Sequence, residues 1–223
     1  MASLGPRPHP YVNWSGDWFP MVRRPALFLD RDGVIVEEVH YLTHPSQLSL
    51  IPGSAEPIAL LNRNRVLVVV VTNQAGVARG LYSRSRIGEI HSRLDSLLAE
   101  HGAHIDRYYY CPHHPTKGLH PYRTACECRK PRPGMLLRAA AELHLDLSRS
   151  YMVGDRMSDL EAGSNAGCRP ILVKTGYGGA VARSLGRDGL TPHYVADNLS
   201  EAVRFCISML LTVSAWTKRL SGF

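Results

Sequence analysis

Hydrophobic residues fall into short solid runs that alternate with longer stretches repeating every three or four positions. Residues 26–30 (ALFLD), 65–73 (RVLVVVVTN), 150–155 (SYMVGD) and 170–176 (PILVKTG) are apolar at successive positions. That is the pattern of parallel strands buried on both faces. Residues 106–112 (DRYYYCP) and 193–197 (HYVAD) predict two further strands. Helical patterns separate them. One covers residues 52–64, with Pro52 and Gly53 at its mouth. Another is capped by Ser83 and runs to Glu100, with Ile87, Ile90, Leu94, Leu97 and Leu98 as one stripe. A third covers 133–145 with Pro133 in its first turn, a fourth covers 157–167 and ends at Gly167, and a last helix starts at Ser200. Strands alternating with helices predict right-handed βαβ units in an α/β fold with a doubly wound, mainly parallel sheet. Ligands of such sheets bind beyond the carboxyl ends of the strands, so those ends carry the chemistry.

The totals add bounds. A length of 223 residues suits one α/β domain with extensions. Residues 1–24, rich in proline, glycine and aromatics without an apolar signal core, read as an N-terminal extension to a single domain over 25–223. Phe205 to Trp216 is about half of what a membrane span requires, so the end of the chain reads as an amphipathic helix. The expectation is a soluble, cytoplasmic, monomeric protein that uses neither membrane nor nucleic acid. A formal charge of +7 favours anionic partners. Three of the five cysteines cluster between residues 111 and 128, which favours a reducing compartment; Cys168 and Cys206 stand alone in apolar surroundings as core residues.

The first strand ends in Asp30-Arg31-Asp32-Gly33, and residues two apart on an extended chain point the same way. The second ends in Thr72-Asn73-Gln74, the fourth in Gly154-Asp155 with Asp159 one helical turn on, and Lys130 stands between Arg129 and Pro131. An acidic pair, a third acid, a hydroxyl and a lysine compose a site for a hard cation and a phosphoryl group. Each has a bland reading alone, since acids at strand ends often only cap helices; their joint occurrence favours chemistry.

The stretches LFLDRDGVIVEE, VVVVTNQAGVARG, CRKPRPGM and YMVGDRMSDLEAG resemble the four signature motifs of the haloacid dehalogenase-like phosphohydrolases. The Cys/His loop is similar to that of the branch holding heptose-bisphosphate phosphatases and related histidinol-phosphatases. The resemblance, from Ala26 to about Gly176, implies a haloacid dehalogenase-like Rossmannoid fold. No insertion follows the first motif or separates the second from the third, so no separate cap domain is expected. It also implies that Asp30 is the nucleophile, Asp32 the acid and base, and Thr72 and Lys130 the groups that hold the phosphoryl oxygens. Mg²⁺ would be bound by Asp30, Asp155 and the main-chain carbonyl of Asp32. Glu38, Val39, His40, Tyr41, Asn73, Gln74 and Ala75 would line a sugar-phosphate substrate, with Arg129 and Arg156 as an anion-friendly rim. Arg156 departs from the branch, whose heptose phosphatases carry lysine there, and Val34 stands where many relatives carry threonine.

Cys111-x-His113 and Cys126-x-Cys128 supply four soft ligands, enough for a closed tetrahedral Zn²⁺ site within a loop over 111–128; His114 and His120 compete as nitrogen donors, and the resemblance favours His113. A closed zinc is structural, ordering a loop of little apolar content and so placing Arg129 and Lys130. The favoured reading is removal of the C7 phosphate from a heptose 1,7-bisphosphate through an aspartyl-phosphate. The alternatives are a histidinol-phosphatase or another small phosphomonoesterase and, from a different class, a zinc-containing nucleic-acid module suggested by the positive charge and Tyr108 to Tyr110. The bland reading of those tyrosines is a strand beside the core.

Overall fold

The computed structural model describes residues 23–186 and 190–220, with side chains of the last helix described to Leu210. The extension read over 1–24 therefore lies outside the described residues except for Arg23 and Arg24. Strands β1 (Ala26–Leu29), β2 (Leu67–Asn73), β3 (Arg107–Cys111), β4 (Tyr151–Gly154), β5 (Arg169–Val173) and β6 (Tyr194–Ala196) form one sheet in the order β3-β2-β1-β4-β5-β6. Every pairing is parallel. Helices α1 (Ala55–Arg63), α2 (Arg84–Ala99), α3 (Gly134–Leu143), α4 (Met157–Ala166), α5 (Gly178–Ser184) and α6 (Leu199–Leu220) intervene.

The solid apolar runs fill both faces of the sheet. Leu27, Leu29, Val68, Val70 and Val153 pack towards Ile58 and Leu61 of α1, Ile90 and Leu94 of α2, and Val203 and Cys206 of α6. Phe28, Val69, Val71 and Met152 turn to the other face, against Met135 and Leu136 of α3 and Ala162 of α4. Each such side chain contributes about 1.5–3 kcal/mol when fully buried. The β strands are thus held from two sides, and their carboxyl ends are fixed platforms.

Local signals mostly behave as read. Ser83 caps α2, its side chain accepting the Arg86 amide N–H at 3.3 Å. Gly167 closes α4 with φ of 84°. The α2 stripe differs at one place: His91 is buried where Leu97 is only partly so. Helix α5 has no sequence signature because it opens on two glycines, poor helix formers.

The chain runs β1, β2, β3 in one direction and resumes at β4 on the far side of β1. This reversal leaves a crevice between the ends of β1 and β4. Residues 30–54, between β1 and α1, hold only a 3-10 turn at Pro45–Gln47 and isolated bridges, and residues 112–133, between β3 and α3, hold no helix or strand beyond an isolated bridge of His114 to Arg123. Neither builds a cap over the crevice. Among the described residues no helix is long and apolar enough to cross a membrane.

Candidate active site

Asp30 leaves the end of β1 with its Oδ1 fixed twice: it accepts the Arg31 main-chain N–H at 2.7 Å and lies 3.1 Å from Lys130 Nζ. Lys130 is itself buried. Its ammonium donates to the Val71 carbonyl at 2.7 Å and forms ion pairs with Asp159 Oδ1 at 2.7 Å and with Asp30. Burial lowers the Lys130 pKa, but Asp159 and Asp30 more than offset it and hold the group above the usual lysine value. The lysine is therefore a fixed positive charge at the floor of the crevice. Asn73 at the end of β2 fixes the lysine's backbone as well, donating from Nδ2 to the Lys130 carbonyl and accepting the Lys130 N–H, both at 3.1 Å.

Asp155 follows β4 and is fully buried. Its Oδ2 accepts the Tyr177 main-chain N–H at 2.8 Å, and its Oδ1 has no hydrogen-bond partner. Glycine is required around it. Gly33 has φ of 79°, and a Cβ there or at Gly176 would come within 2.3 Å of Asp155 Oδ2. Burial, then the nearby Asp30, pushes the Asp155 carboxyl up to about 7. One carboxylate oxygen each from Asp30, Asp155 and Asp159 lie within 4.8 Å of one another. Hard oxygen donors, a buried oxygen without a partner and carboxyls resisting ionisation fit a divalent cation such as Mg²⁺.

Asp32 lines the same cleft. A two-pronged bond from the buried Arg31 holds it, Nε to Oδ1 at 3.0 Å and Nη2 to Oδ2 at 2.9 Å, and Gln74 Nε2 also donates to Oδ2 at 3.0 Å. Burial raises the Asp32 pKa in spite of Arg31. The same Gln74 amide donates to Thr72 Oγ1 at 3.0 Å, while its Oε1 accepts the Tyr82 hydroxyl at 2.7 Å. Tyr82 thereby fixes which end of the amide faces Asp32 and Thr72.

Asp30, Asp32, Glu38, Val39, His40, Tyr41, Thr72, Asn73, Gln74, Ala75, Arg129, Lys130 and Arg156 all line one cleft of about 340 Å³. Every catalytic and substrate-lining residue expected from the sequence is thus brought together, with Asp155 buried directly behind. The two rim arginines are already engaged: Arg129 Nη1 donates to the His113 carbonyl at 3.1 Å, and Arg156 Nη2 to Glu38 Oε2 at 2.9 Å. The sequence reading gave no role to Arg31, Tyr82, Ser158, Asp159 or Tyr177, which also line the cleft. Asp159 carried a signal, its four-residue spacing from Asp155 at a helix start. Tyr177 carried none.

Cys111, His113, Cys126 and Cys128 converge at the mouth of the loop between β3 and α3. The sulfurs of Cys111 and Cys126 are 3.5 Å apart and those of Cys126 and Cys128 3.2 Å; His113 Nδ1 lies 3.7 Å from Cys111 and 3.4 Å from Cys128. A tetrahedral zinc with bonds of ~2.0–2.3 Å sets its ligand atoms roughly 3.4–3.8 Å apart. Three of the four separations fall there and the Cys126–Cys128 pair is slightly tighter, so the four donors are grouped as such an ion needs. His114 is excluded from it, because its Nδ1 accepts the Thr116 and Lys117 amides. His120 is likewise outside the cluster. Arg129 ties the two arms of this loop together on the His113 carbonyl, and main-chain bonds of Ala78 to Pro112 and Leu119 to Ala78 fix the loop to the connection after β2.

A parallel sheet with an acidic pair after β1, a hydroxyl after β2, a buried lysine and further acids after β4 defines a haloacid dehalogenase-like phosphatase. Residues 127–202 match the family described as HAD-hydrolase-like. A protein of Thermosynechococcus vestitus named D-glycero-D-manno-heptose-1,7-bisphosphate 7-phosphatase is 42% identical over 84% of this chain and 97% of its own length. The enzyme of Escherichia coli K12 named D-glycero-beta-D-manno-heptose-1,7-bisphosphate 7-phosphatase is 41% identical over 68% of this chain and 80% of its own. The crystal structure of D,D-heptose 1,7-bisphosphate phosphatase from B. bronchiseptica, complexed with magnesium and phosphate, superposes with a TM-score of 0.73 at 35% identity, covering 83% of this chain and 99% of that one. The chain belongs to the heptose-1,7-bisphosphate phosphatase family of HAD-like hydrolases.

Proposed function

We propose that this protein is a Mg²⁺-dependent phosphomonoesterase that removes the C7 phosphate of D-glycero-D-manno-heptose 1,7-bisphosphate. The observation that carries the chemistry is the Asp30 carboxylate, held by the Arg31 amide and Lys130 in one cleft with Thr72 and Asp32. The relatives' names carry the substrate.

In this reading an Asp30 oxygen attacks phosphorus as the bond between phosphorus and the C7 oxygen breaks, giving an aspartyl-phosphate. Asp32 passes its proton to the departing alkoxide, then takes one from the water that attacks phosphorus and frees Asp30. Its burial favours a carboxyl that carries a proton, while Arg31 and Gln74 hold it at a fixed angle. Thr72 and Lys130 meet the phosphoryl oxygens and offset charge that grows in the transition state. Asp30, Asp155 and the Asp32 carbonyl would hold Mg²⁺, which when bound draws charge from those oxygens. Asp159 orients Lys130 by the 2.7 Å ion pair. Cys111, His113, Cys126 and Cys128 would hold Zn²⁺, which fastens the loop bearing Arg129 and Lys130.

A primary phosphate at C7 can reach the floor of an uncapped cleft and leave the C1 phosphate at the rim, where Arg129 is the candidate contact. The thiol cluster suits a reducing, cytoplasmic setting. The test is incubation with the 1,7-bisphosphate and assignment of the product by phosphorus NMR. The expected product is the heptose 1-phosphate; the 7-phosphate, or no turnover, would overturn the reading.

A further inference from the structure

Four residues from three separate segments close a ring at the mouth of the cleft. Glu38 accepts the His40 main-chain N–H through Oε1 at 2.6 Å and Arg156 Nη2 through Oε2 at 2.9 Å. The guanidinium carbon of Arg156 stands 3.9 Å from the centre of the Tyr177 ring. The Tyr177 hydroxyl lies 3.2 Å from His40 Nδ1, which completes the circuit. His40 has φ of 67°, a conformation that a residue with a side chain keeps only when neighbours hold it.

We propose that Tyr177 is a positioning residue for substrate selection, fixing Arg156 and His40 for the part of the sugar phosphate that does not react. This rests on the sugar-phosphate reading above. An arginine is a long side chain, and ordering it on binding lowers affinity. Here one face of the guanidinium is covered by the ring and one edge is pinned by Glu38, so that ordering is done before the substrate arrives. The Glu38 carboxylate beside the Arg156 N–H groups sets an acceptor next to a donor. That pairing suits the successive hydroxyls of a polyol, each of which both gives and takes a hydrogen bond. The ring's role is separable from the backbone's: Asp155 Oδ2 is held by the Tyr177 main-chain N–H, which any side chain at this position preserves.

The test compares Tyr177→Phe, Tyr177→Trp and Tyr177→Leu on the heptose bisphosphate and on p-nitrophenyl phosphate, which has no polyol to recognise. Tyr177→Leu should raise KM for the bisphosphate about tenfold with little change in kcat, and its loss in kcat/KM should exceed the loss on the aryl phosphate by a similar factor. Tyr177→Trp keeps the stack and should recover most of that loss; Tyr177→Phe, lacking only the hydroxyl, should lose about threefold. Equal losses on both substrates, or a Trp variant as poor as Leu, would overturn the inference. A wild-type enzyme that hydrolyses the aryl phosphate but ignores the bisphosphate would instead refute the proposed substrate. The same ratio, measured on the best sugar phosphate found by a release screen, then decides the role of Tyr177.

Discussion

Lys130 Nζ sits 2.7 Å from Asp159 Oδ1 and 3.1 Å from Asp30 Oδ1, with both partners of the Lys130–Asp159 pair almost wholly shielded from water. Asp159 also accepts the Arg156 main-chain N–H at 3.0 Å, so one carboxylate both starts α4 and aims the lysine. Breaking a buried pair strands the remaining charge. Asp159→Asn keeps an oxygen for the Arg156 amide and removes the charge, which leaves Lys130 to draw closer to Asp30. Stability should fall by about 2 kcal/mol, and kcat by about a hundredfold. Urea unfolding and steady-state kinetics on one preparation check both; a wild-type rate would show that Asp159 has no part in placing Lys130.

Asp30→Asn replaces the nucleophile with an amide of nearly the same shape, so turnover should vanish while the melting temperature stays close to that of wild type. Asp32→Asn should behave differently. It removes the proton donor, which matters for an alkoxide and little for an aryl leaving group that departs without help. Rates on the sugar phosphate should therefore drop about a thousandfold, with a much smaller drop on p-nitrophenyl phosphate. Equal losses on the two substrates would remove Asp32 from the acid role.

Most of the floor of the site is legible in the sequence because Asp30, Asp32, Thr72 and Asp155 stand at the carboxyl ends of strands whose apolar runs are unmistakable. Lys130, late in the loop between β3 and α3, is legible from the CRKPRPGM stretch. Thr72, Asp155 and Lys130 needed no contact to be found. What escaped it depends on side chains meeting across the fold. Arg31 sits between two acids and looks like a solvated charge, yet it is buried and forked onto Asp32. Tyr82 and Tyr177 stand outside the strand-end motifs, on connections after β2 and β5, and reach the cleft only once those connections close. His91 was passed over in favour of Leu97 because hydrophobic periodicity counts residue types, whereas the α2 surface facing β3 is set by a stacked ring: His91 lies over Tyr108 with centroids 4.2 Å apart. Helix α5 was invisible because packing of Gly178 against the Val173 carbonyl, not propensity, holds its start.

That same His91 gives a pH prediction. Burial, then the charge of Arg31, lowers its pKa to about 3, and its Nε2 has no partner. In the unfolded chain the imidazole takes a proton near pH 6.5. Between about pH 6.5 and 3 the unfolded state binds the extra proton, so the stability associated with neutral His91 is complete above this window and lost as pH falls through it. The slope from this one group is about 1.4 kcal/mol per pH unit. Asp155, whose pKa is raised, acts in the opposite sense over part of the range. The informative quantity is therefore the stability difference between wild type and His91→Phe, which keeps the ring and cannot protonate. That difference should move in favour of the variant as pH falls from 6.5; a constant difference would show that His91 takes up its proton while folded.

The two proposed metals should part company under chelation. Mg²⁺ at carboxylates, a carbonyl and solvent exchanges readily, whereas zinc held by three thiolates and an imidazole is far harder to remove. Brief treatment with a hard-cation chelator should give inactive protein that Mg²⁺ restores and Zn²⁺ does not, while metal analysis still finds about one zinc per chain. Cys126→Ser and Cys128→Ser act on the other site. Each removes one corner of a cluster whose members stand 3.2–3.7 Å apart, so zinc should be lost. The consequence for activity runs through the loop. Arg129 is tied to the His113 carbonyl and is followed directly by Lys130, whose backbone is fixed to Asn73. Loss of the zinc should loosen the first tie and leave the second, so kcat should fall about tenfold to a hundredfold rather than vanish, even at saturating Mg²⁺. Protein stripped of zinc yet fully active would show that the Asn73 bonds alone place the lysine; apo-enzyme revived by zinc alone would show that the catalytic ion at Asp30 and Asp155 has been wrongly assigned.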